Sequence, residues 1–557
     1  MDTTNALIVN TTKINCQVFV ISDITGIQYF DNLDTLILIN SSINTLPPIN
    51  ASLSYLNISN NSSLTSISNF PNSLEHVDIS LCKILTTIPP LPSGLTYFDC
   101  HQCKLSSLPS LPTSLLTLNC NNNPIHTLPI LSTSLTDLDC SYDSLTFLPA
   151  LPSALIKLEC SNNQLTSLPS LPSNLNSLFC SNNQITSLPA LPATIERLRI
   201  SFNQINSLPN LPPILKELTC NNNNFAALPT LPNTVTYLDC SYNQLTSLPP
   251  YPSSLQTLWC NNNFLTLLSP SFPSNLFDLN CSHNILTTIP SLNQGFNSLI
   301  CSYNPLTSYP LLPNSLVYFF CDSVQLPALP TIPPTLEYLT CKYCPISSLP
   351  DLPVFINRLD ISYTQISCLP YIREIGYLIW TSSNLSCLPN RIVISASMPS
   401  VSSLGLCQPS GNCPMYWNIK GNIFKDSNGN CIKDINEDVI KNVPVKLDSA
   451  GIFSQVFYTD QWGDFDFRAG YGNYTVSIDT TSLPFDVICP TTFTYSTTLS
   501  STNSYDSLAN FGLQCKPDID LEANSIWHVG ALTPGSKRTI TTIAGIKQLI
   551  HGINCMP

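Results

Sequence analysis

Apolar residues recur through most of this chain on a fixed beat. Between Cys100 and Cys260 a Cys or Ile stands every 20 residues, with hydrophobic residues five and two positions before it and another five positions after. The segment LPSLPSNLNSLFCSNNQITS (171–190) is typical. Around the recurring slot the alternation has period two: Leu118 in, Asn119 out, Cys120 in. That period predicts one short strand per unit, with the residues one and three before the slot facing away from the core. Eighteen units fit this pattern from Leu38 to Trp380, the slot being filled by Leu38, Ile58, Ile79, Ile200, Ile361 and Trp380 where it is not Cys. Twenty residues leave no room for a helix on the return path. The remainder, L-P-x-L-P-x-x-L, carries two prolines three apart, and proline fixes φ and removes a donor, which suits an extended polyproline-like segment. The expected object is an all-β solenoid, with a parallel sheet on its concave side and extended segments on its convex side.

Composition changes this picture little, except through cysteine. Only 10% of the 557 residues are charged, against roughly 25% in average globular proteins. The net charge of −13 argues against a nucleic-acid partner, which would favour a basic face. No run of roughly 18 apolar residues is present, so no membrane span is expected. The first residues, MDTTNALIVNTTKINCQVFV, lack a basic region, a clean apolar stretch and a small-residue cleavage site, so no signal peptide is read there and a truncated start is expected.

Of the 24 cysteines, twelve share the repeat slot: Cys100, Cys120, Cys140, Cys160, Cys180, Cys220, Cys240, Cys260, Cys281, Cys301, Cys321 and Cys341. Parallel strands lie about 4.8 Å apart, so in-register Cβ atoms keep roughly that spacing, longer than the ~3.8 Å mean of a disulfide. The slot thiols are therefore expected to be free and to act as small core hydrophobes. The C-x-x-C pairs Cys100/Cys103 and Cys341/Cys344 are the slot and the plus-three position of single units, not metal sites. Cys82/Cys103 and Cys368/Cys387 are candidate bridges or stacked thiols at the array margins, and Cys407 and Cys413 are close enough in sequence to bridge a small loop. An Asn usually stands at plus three, as at Asn123, Asn163, Asn203 and Asn243, and is expected to bond backbone groups of its own and the next unit.

Function in such an array is expected on the outward strand positions. Asp78, Asp99, Asp137, Asp139 and Glu159 make an acidic stretch, Arg197 and Arg199 follow in one unit, and then come Tyr237, Trp259, Tyr318, Phe320 and Tyr338. Exposed aromatics in register are the anchors that interfaces favour.

Periodicity stops near Pro389. From Trp417 the texture becomes short alternating strands (NIKGNIF, NVPVKLD, QVFYTD, DFDFRA, NYTVSID), which predict a β-sandwich of about 100 residues. Inside it lies DSNGNCIKDINE, Asp426 to Glu437. Against the calcium-loop template, side-chain oxygens fall at Asp426, Asn428, Asn430, Asp434 and Glu437, and Ile432 would give its carbonyl. Cys431 stands where that template has Gly, so the sharp turn is expected to differ. With no ladder to explain Cys431, Cys489 or Cys515, a bridge involving Cys431 is expected.

The unit L-x-x-L-x-C-x-x-N-x-L is the leucine-rich-repeat pattern. With its LPxLP return it resembles the short repeats of bacterial secreted effectors and of surface proteins of the Bacteroidetes type. The stretch GNIFKDSNGNCIKDINEDVIKNVPVKL resembles the B-type repeats of serine-aspartate-repeat adhesins, which implies a calcium-rigidified spacer at a cell surface. The expected organisation is an N-terminal cap (1–32), repeats (33–395), a linker (396–416), the B-type sandwich (417–515) and the start of an incomplete β domain (516–557).

The expected function is non-enzymatic recognition or adhesion by a secreted or cell-surface monomer, through a protein or glycan ligand on the concave face, with calcium as cofactor. The six histidines form no visible constellation with a nucleophile. The alternative is a translocated bacterial effector that binds host proteins through its repeats.

Overall fold

The computed structural model describes residues 8 to 516, apart from 9, 18–20, 50–51, 390–391, 402–403, 405–406, 408–412, 414–417, 435, 450–452, 461, 468, 470–471, 481–482, 484 and 501–504. The chain divides into two units, Met1–Gln325 and Leu326–Pro557.

In the first unit each repeat contributes one three-residue strand, such as Asp137–Asp139, Lys157–Glu159 and Ser177–Phe179. These pair in parallel with no slip: Leu138 lies opposite Leu158, and Leu158 opposite Leu178. The central residue of each strand and the slot after it are buried, which is the inward half of the predicted alternation. The ladder starts ahead of residue 33. Lys13–Asn15 pairs with Thr35–Ile37, and Cys16 occupies the slot of a rung that the sequence pattern does not reveal. The first returns carry a 3-10 turn, Ile27–Tyr29, and two short strands, Thr45–Leu46 and Ser66–Ile67, that pair in parallel. From Cys100 onward the returns of the first unit carry neither helix nor strand and end in a tight turn, as where the carbonyl of Pro112 accepts the N–H of Leu115 at 3.2 Å. There two prolines per return remove the donors that a second ladder would need.

All twelve slot cysteines are buried and stand outside the disulfides, and burial raises the thiols from Cys100 to Cys281, well above the ordinary range at Cys100, Cys120 and Cys160. Cys82 and Cys103 are also free, so the margin bridge considered for them does not form. The Sγ of Cys82 points at the carbonyl of Ile58, and that of Cys103 at the carbonyl of Ile79.

The plus-three asparagines form a second ladder under the sheet. Asn243 donates from Nδ2 to the carbonyls of Cys220 (3.1 Å), Cys240 (3.1 Å) and Ser241 (3.0 Å), and its Oδ1 accepts the N–H of Phe225 (3.1 Å). Asn203, Asn223 and Asn263 repeat the arrangement. The link therefore runs to the preceding unit, not to the next one as the sequence suggested. Where consecutive units both carry Asn, the slot carbonyl between them receives two amides: that of Cys240 takes Asn243 and Asn263. Buried backbone groups that a strand of three residues leaves unpaired are satisfied in this way.

The second unit opens on strands of the same kind, Tyr338–Thr340, Phe355–Asp360, Glu374–Ile379 and Val393–Met398, paired in parallel in that order. The last of these extends the ladder one rung past the eighteenth unit. Two disulfides close its margin, Cys368–Cys413 and Cys387–Cys407. The sequence offered Cys368 with Cys387 and Cys407 with Cys413. The observed pairing is crossed: Cys368 and Cys387, on the returns that follow Phe355–Asp360 and Glu374–Ile379, each bridge to the chain beyond the last strand of the ladder.

Two four-stranded sheets follow. One orders Asp464–Phe467, Ile419–Lys425, Phe511–Cys515 and Phe485–Cys489; the other orders Phe453–Tyr458, Pro444–Ser449, Gly472–Ile478 and Thr494–Leu499. Alternate residues of both enter one core, with Ile423, Phe467, Phe485 and Phe511 from the first sheet and Val445, Leu447, Val476 and Leu499 from the second. This is the two-layer arrangement that the alternating strands predicted. No helix among the described residues is long and apolar enough to cross a membrane. The β domain expected beyond residue 516 lies outside the described residues.

Candidate functional site

Outward strand positions such as Asp137, Asp139, Glu159, Arg197 and Arg199 are half-buried or exposed, but Asp99, Ser177, Asp239 and Thr257 are buried. Their carboxylates, however, are not all available. Asp78, Asp99 and Asp139 each accept the backbone N–H two residues on, at 3.0 Å, closing the turn that leaves the strand. Their second oxygens accept side-chain amides from neighbouring rungs: Asn57 to Asp78 (2.8 Å), Asn119 to Asp99 (3.1 Å) and Asn121 to Asp139 (2.8 Å). This is the local side-chain-to-backbone bonding for which Asp and Asn are suited. Asn280 and Asp239 do the same. Glu159 forms an ion pair with Lys157 on its own strand at 2.6 Å. Asp137, three before the slot, has no such turn to close, and half-burial raises its pKa.

Farther along the same unit the face changes character. Arg199 pairs with Glu217 at 2.6 Å and lies over the Phe179 ring at 4.7 Å. That hydrogen bond holds the guanidinium more firmly charged. Lys216 pairs with Glu196 at 2.7 Å. Arg197 is exposed and makes no ion pair among the described residues. It lines a shallow groove with Arg199, Glu217 and Tyr237. Tyr237 meets Trp259 edge-on, with centroids 5.6 Å apart, and burial raises its hydroxyl to about 12. Trp259 donates from Nε1 to Asp278 at 3.0 Å and opens a second cavity of about 460 Å3, walled by Phe277, Ile300, Tyr318 and Phe320. Tyr318 and Phe320 stand perpendicular to one another. Of the predicted aromatics, Trp259, Tyr318 and Phe320 line this cavity and Tyr237 abuts it through Trp259, while Tyr338 lies in the second unit.

Two aromatic sets escaped the sequence reading. Tyr55, His76 and Tyr97 stack face to face three before the slot, with centroids 4.2 Å apart at each step. The second set stands two after the slot, where every rung turns through positive φ. Asn suits that conformation and holds it at Asn122, Asn162, Asn182, Asn222 and Asn262, but Tyr142, Phe202, Tyr242, His283 and Tyr303 hold it too. A bulky residue there costs about 1 kcal/mol. His283 and Tyr303 stack at 4.1 Å. Reading that column down the register, rather than along each strand, would have exposed the substitution of aromatics for Asn.

The Asp426–Glu437 turn is built around its acids. Asp426 is fully buried and accepts the N–H of Gly429 (2.7 Å) and of Cys431 (2.9 Å). Glu437 accepts the N–H of Ser427 and of Asp434. Between them, the amides of Asn428 and Asn430 both meet Oδ2 of Asp434, at 2.8 and 3.0 Å. A half-turn of either amide would present oxygen instead of nitrogen at the same place. The donor set, three carboxylates and two amides within one turn, fits a hard divalent cation by its chemistry. Ile432 leaves its side chain in solvent and donates its N–H to Asn430. Cys431 adopts φ +64, so the sharp turn expected to differ without Gly is nevertheless made. Its disulfide to Cys489 ties the turn to the strand Phe485–Cys489.

No protein-family model and no curated protein matches this sequence. Among solved structures, YopM from Yersinia enterocolitica is 32% identical with a TM-score of 0.61, over 69% of this chain and 91% of that one. The chain belongs to the leucine-rich-repeat family. YopM from Yersinia pestis, a leucine-rich effector protein, is 31% identical with a TM-score of 0.46, over 51% of this chain and 88% of that one. InlJ from Listeria monocytogenes, whose functional domain includes a cysteine ladder, is 19% identical with a TM-score of 0.38, over 84% and 87%.

Within these leucine-rich repeats His76, His101 and His283 serve packing and turn closure, while His126 is exposed. His76 lies between two tyrosine rings, His283 on Tyr303, and His101 bonds Asp99 at 2.7 Å, which raises its pKa. The outward face is equipped for contact: its turns are closed from within, and its aromatic groove is left open.

Proposed function

We propose that this leucine-rich-repeat protein is a secreted or cell-surface recognition protein that takes a protein partner on the outward strand face of its first unit. The observation that carries the reading is the open cavity on which Trp259, Ile300, Tyr318 and Phe320 converge, with Tyr237 edge-on to Trp259 at its margin. Large aromatic anchors in a desolvatable hollow are the usual core of an interface. An array of purified proteins and glycans, probed with the wild type and with a Trp259→Ala, Phe320→Ala double variant, tests it. Protein signals that fall at least tenfold in the variant are expected; signals indifferent to the double substitution would sink the proposal.

We further propose that the two-sheet domain is a B-type, calcium-stiffened spacer, with Asp426, Asn428, Asn430, Asp434, Glu437 and the Ile432 carbonyl holding the ion. The oxygen-rich turn between two strands supports this reading. Chelation of the full-length protein is expected to lower the thermal transition of this domain by on the order of 10 °C, since a ligand at a hundred times its Kd contributes about 2.7 kcal/mol. An unchanged transition removes calcium from the account.

A second reading, a translocated effector, draws on the likeness to YopM. Disulfides at Cys368–Cys413, Cys387–Cys407 and Cys431–Cys489 favour an oxidising compartment instead. Fractionation of cells expressing the full gene separates the two.

A further inference from the structure

Resting on the proposed recognition face, we infer that its occupant is an extended peptide segment of a protein partner, carrying a carboxylate that meets Arg197 and, five to seven residues away, an apolar side chain that enters the Trp259–Phe320 cavity. The two ends of this site differ in charge, and that difference sets the occupant. Arg197 is the exposed cation without an ion pair at one end, with Arg199 and Glu217 beside it neutralising each other. At the other end the charged group in the lining is Asp278, bonded to Trp259, beside the neutral Asn280, Asn297 and Ser298, with the buried Asp239 on the strand before Trp259. An acidic residue is attracted to the first end and repelled from the second, so the order of acid and apolar anchor along the groove is fixed.

The spacing follows from the ladder. The groove lined by Arg197 and Tyr237 and the cavity lined by Trp259 lie side by side on the same face, abutting at the Tyr237–Trp259 ring contact. Four pairings separate the strand Arg197–Arg199 from Asp278–Asn280 at the middle of the cavity. At about 4.8 Å per pairing this is roughly 19 Å, which an extended chain covers in about six residues. The backbone of the floor is already paired strand to strand, so it offers no edge for β-augmentation. Recognition falls to side chains: a guanidinium for a carboxylate, and rings for an aliphatic or aromatic group.

Selecting a random 12-residue peptide library against the full-length protein provides the probe. Enriched sequences are expected to hold Asp or Glu five to seven positions from Leu, Ile, Phe, Tyr or Trp. A synthetic peptide of that kind is expected to weaken at least tenfold against Trp259→Ala and against Arg197→Glu. Changing its acid to Lys should restore binding to Arg197→Glu, a rescue that loss of folding could not give. Peptides that depend on Trp259 but ignore Arg197 overturn the inference and leave the recognition face standing. Peptides indifferent to both substitutions, a selection that yields no binder, or a glycan captured through Trp259 in place of any peptide overturn the inference, and the first of these overturns the face as well.

Discussion

Asp143→Asn is expected to stabilise the protein by on the order of 3 kcal/mol at pH 8 and to remove a loss of stability that the wild type shows between about pH 4 and pH 8. Asp143 stands at plus three from Cys140, where the neighbouring units carry Asn. Like them it accepts backbone N–H, that of Asn123 at 2.8 Å. Unlike them it has no N–H of its own, and its buried Oδ2 has no partner. The carbonyls of Cys120 and Cys140, which an amide there would reach, receive only the one from Asn123 and the one from Asn163. Burial pushes the Asp143 carboxyl up to about 8. The charges facing it are few: Asp139 raises it further, and the N–H groups of Asn123 and Ile125 lower it. Because the folded pKa lies above the unfolded one, the unfolded chain releases its proton first as pH rises. Stability from the protonated form is therefore complete near pH 4 and lost as pH climbs to 8. Denaturant midpoints of wild type and variant across this range decide the matter. Curves that fall in parallel would show that another group titrates.

Asn243→Ala is expected to cost about 3 kcal/mol, whereas Cys240→Ala, three residues away in the same rung, is expected to cost about 1 kcal/mol. The asymmetry comes from what each side chain leaves behind. Removing Asn243 strands the N–H of Phe225 and strips one amide from each of the Cys220 and Cys240 carbonyls. Those carbonyls keep a second partner, from Asn223 and Asn263, and the damage stays finite. Removing the Cys240 thiol empties a small volume with no polar consequence. Equal losses in urea titrations of the two variants would mean that the amide ladder does not carry the array.

The fold was legible because its two periods are covalent facts of the chain: 20 residues per rung and alternate residues within a strand. Leu138, Cys140 and Asn243 could be placed from sequence alone. The direction of the Asn link could not, since an amide three after the slot has carbonyls both above and below and only the handed climb of the coil chooses. The disulfides failed for a related reason: sequence proximity of Cys407 and Cys413 says nothing about which strand each returns past. On the face, position predicted direction but neither exposure, Asp99 being buried, nor availability. Asp78, Asp99 and Asp139 point outward as read, yet their oxygens are occupied by their own turns. The aromatic cavity was half visible, through Trp259, Tyr318 and Phe320; Ile300 completes it from the same outward column one before the slot, and Phe277 from a column that carries no warning in a single unit.

A ladder whose rungs bond only to the rung before and the rung after has no preferred length. Inserting or deleting one 20-residue unit between Arg197 and Trp259 would leave every amide with a carbonyl and every strand with a neighbour. What would change is the gap between the cation and the aromatic hollow, by one step of about 4.8 Å and never by less. The array is thus a ruler graduated in rungs. Among relatives built on the same unit, the set of partners each accepts should vary in discrete steps with repeat number, even where every residue that touches the partner is retained.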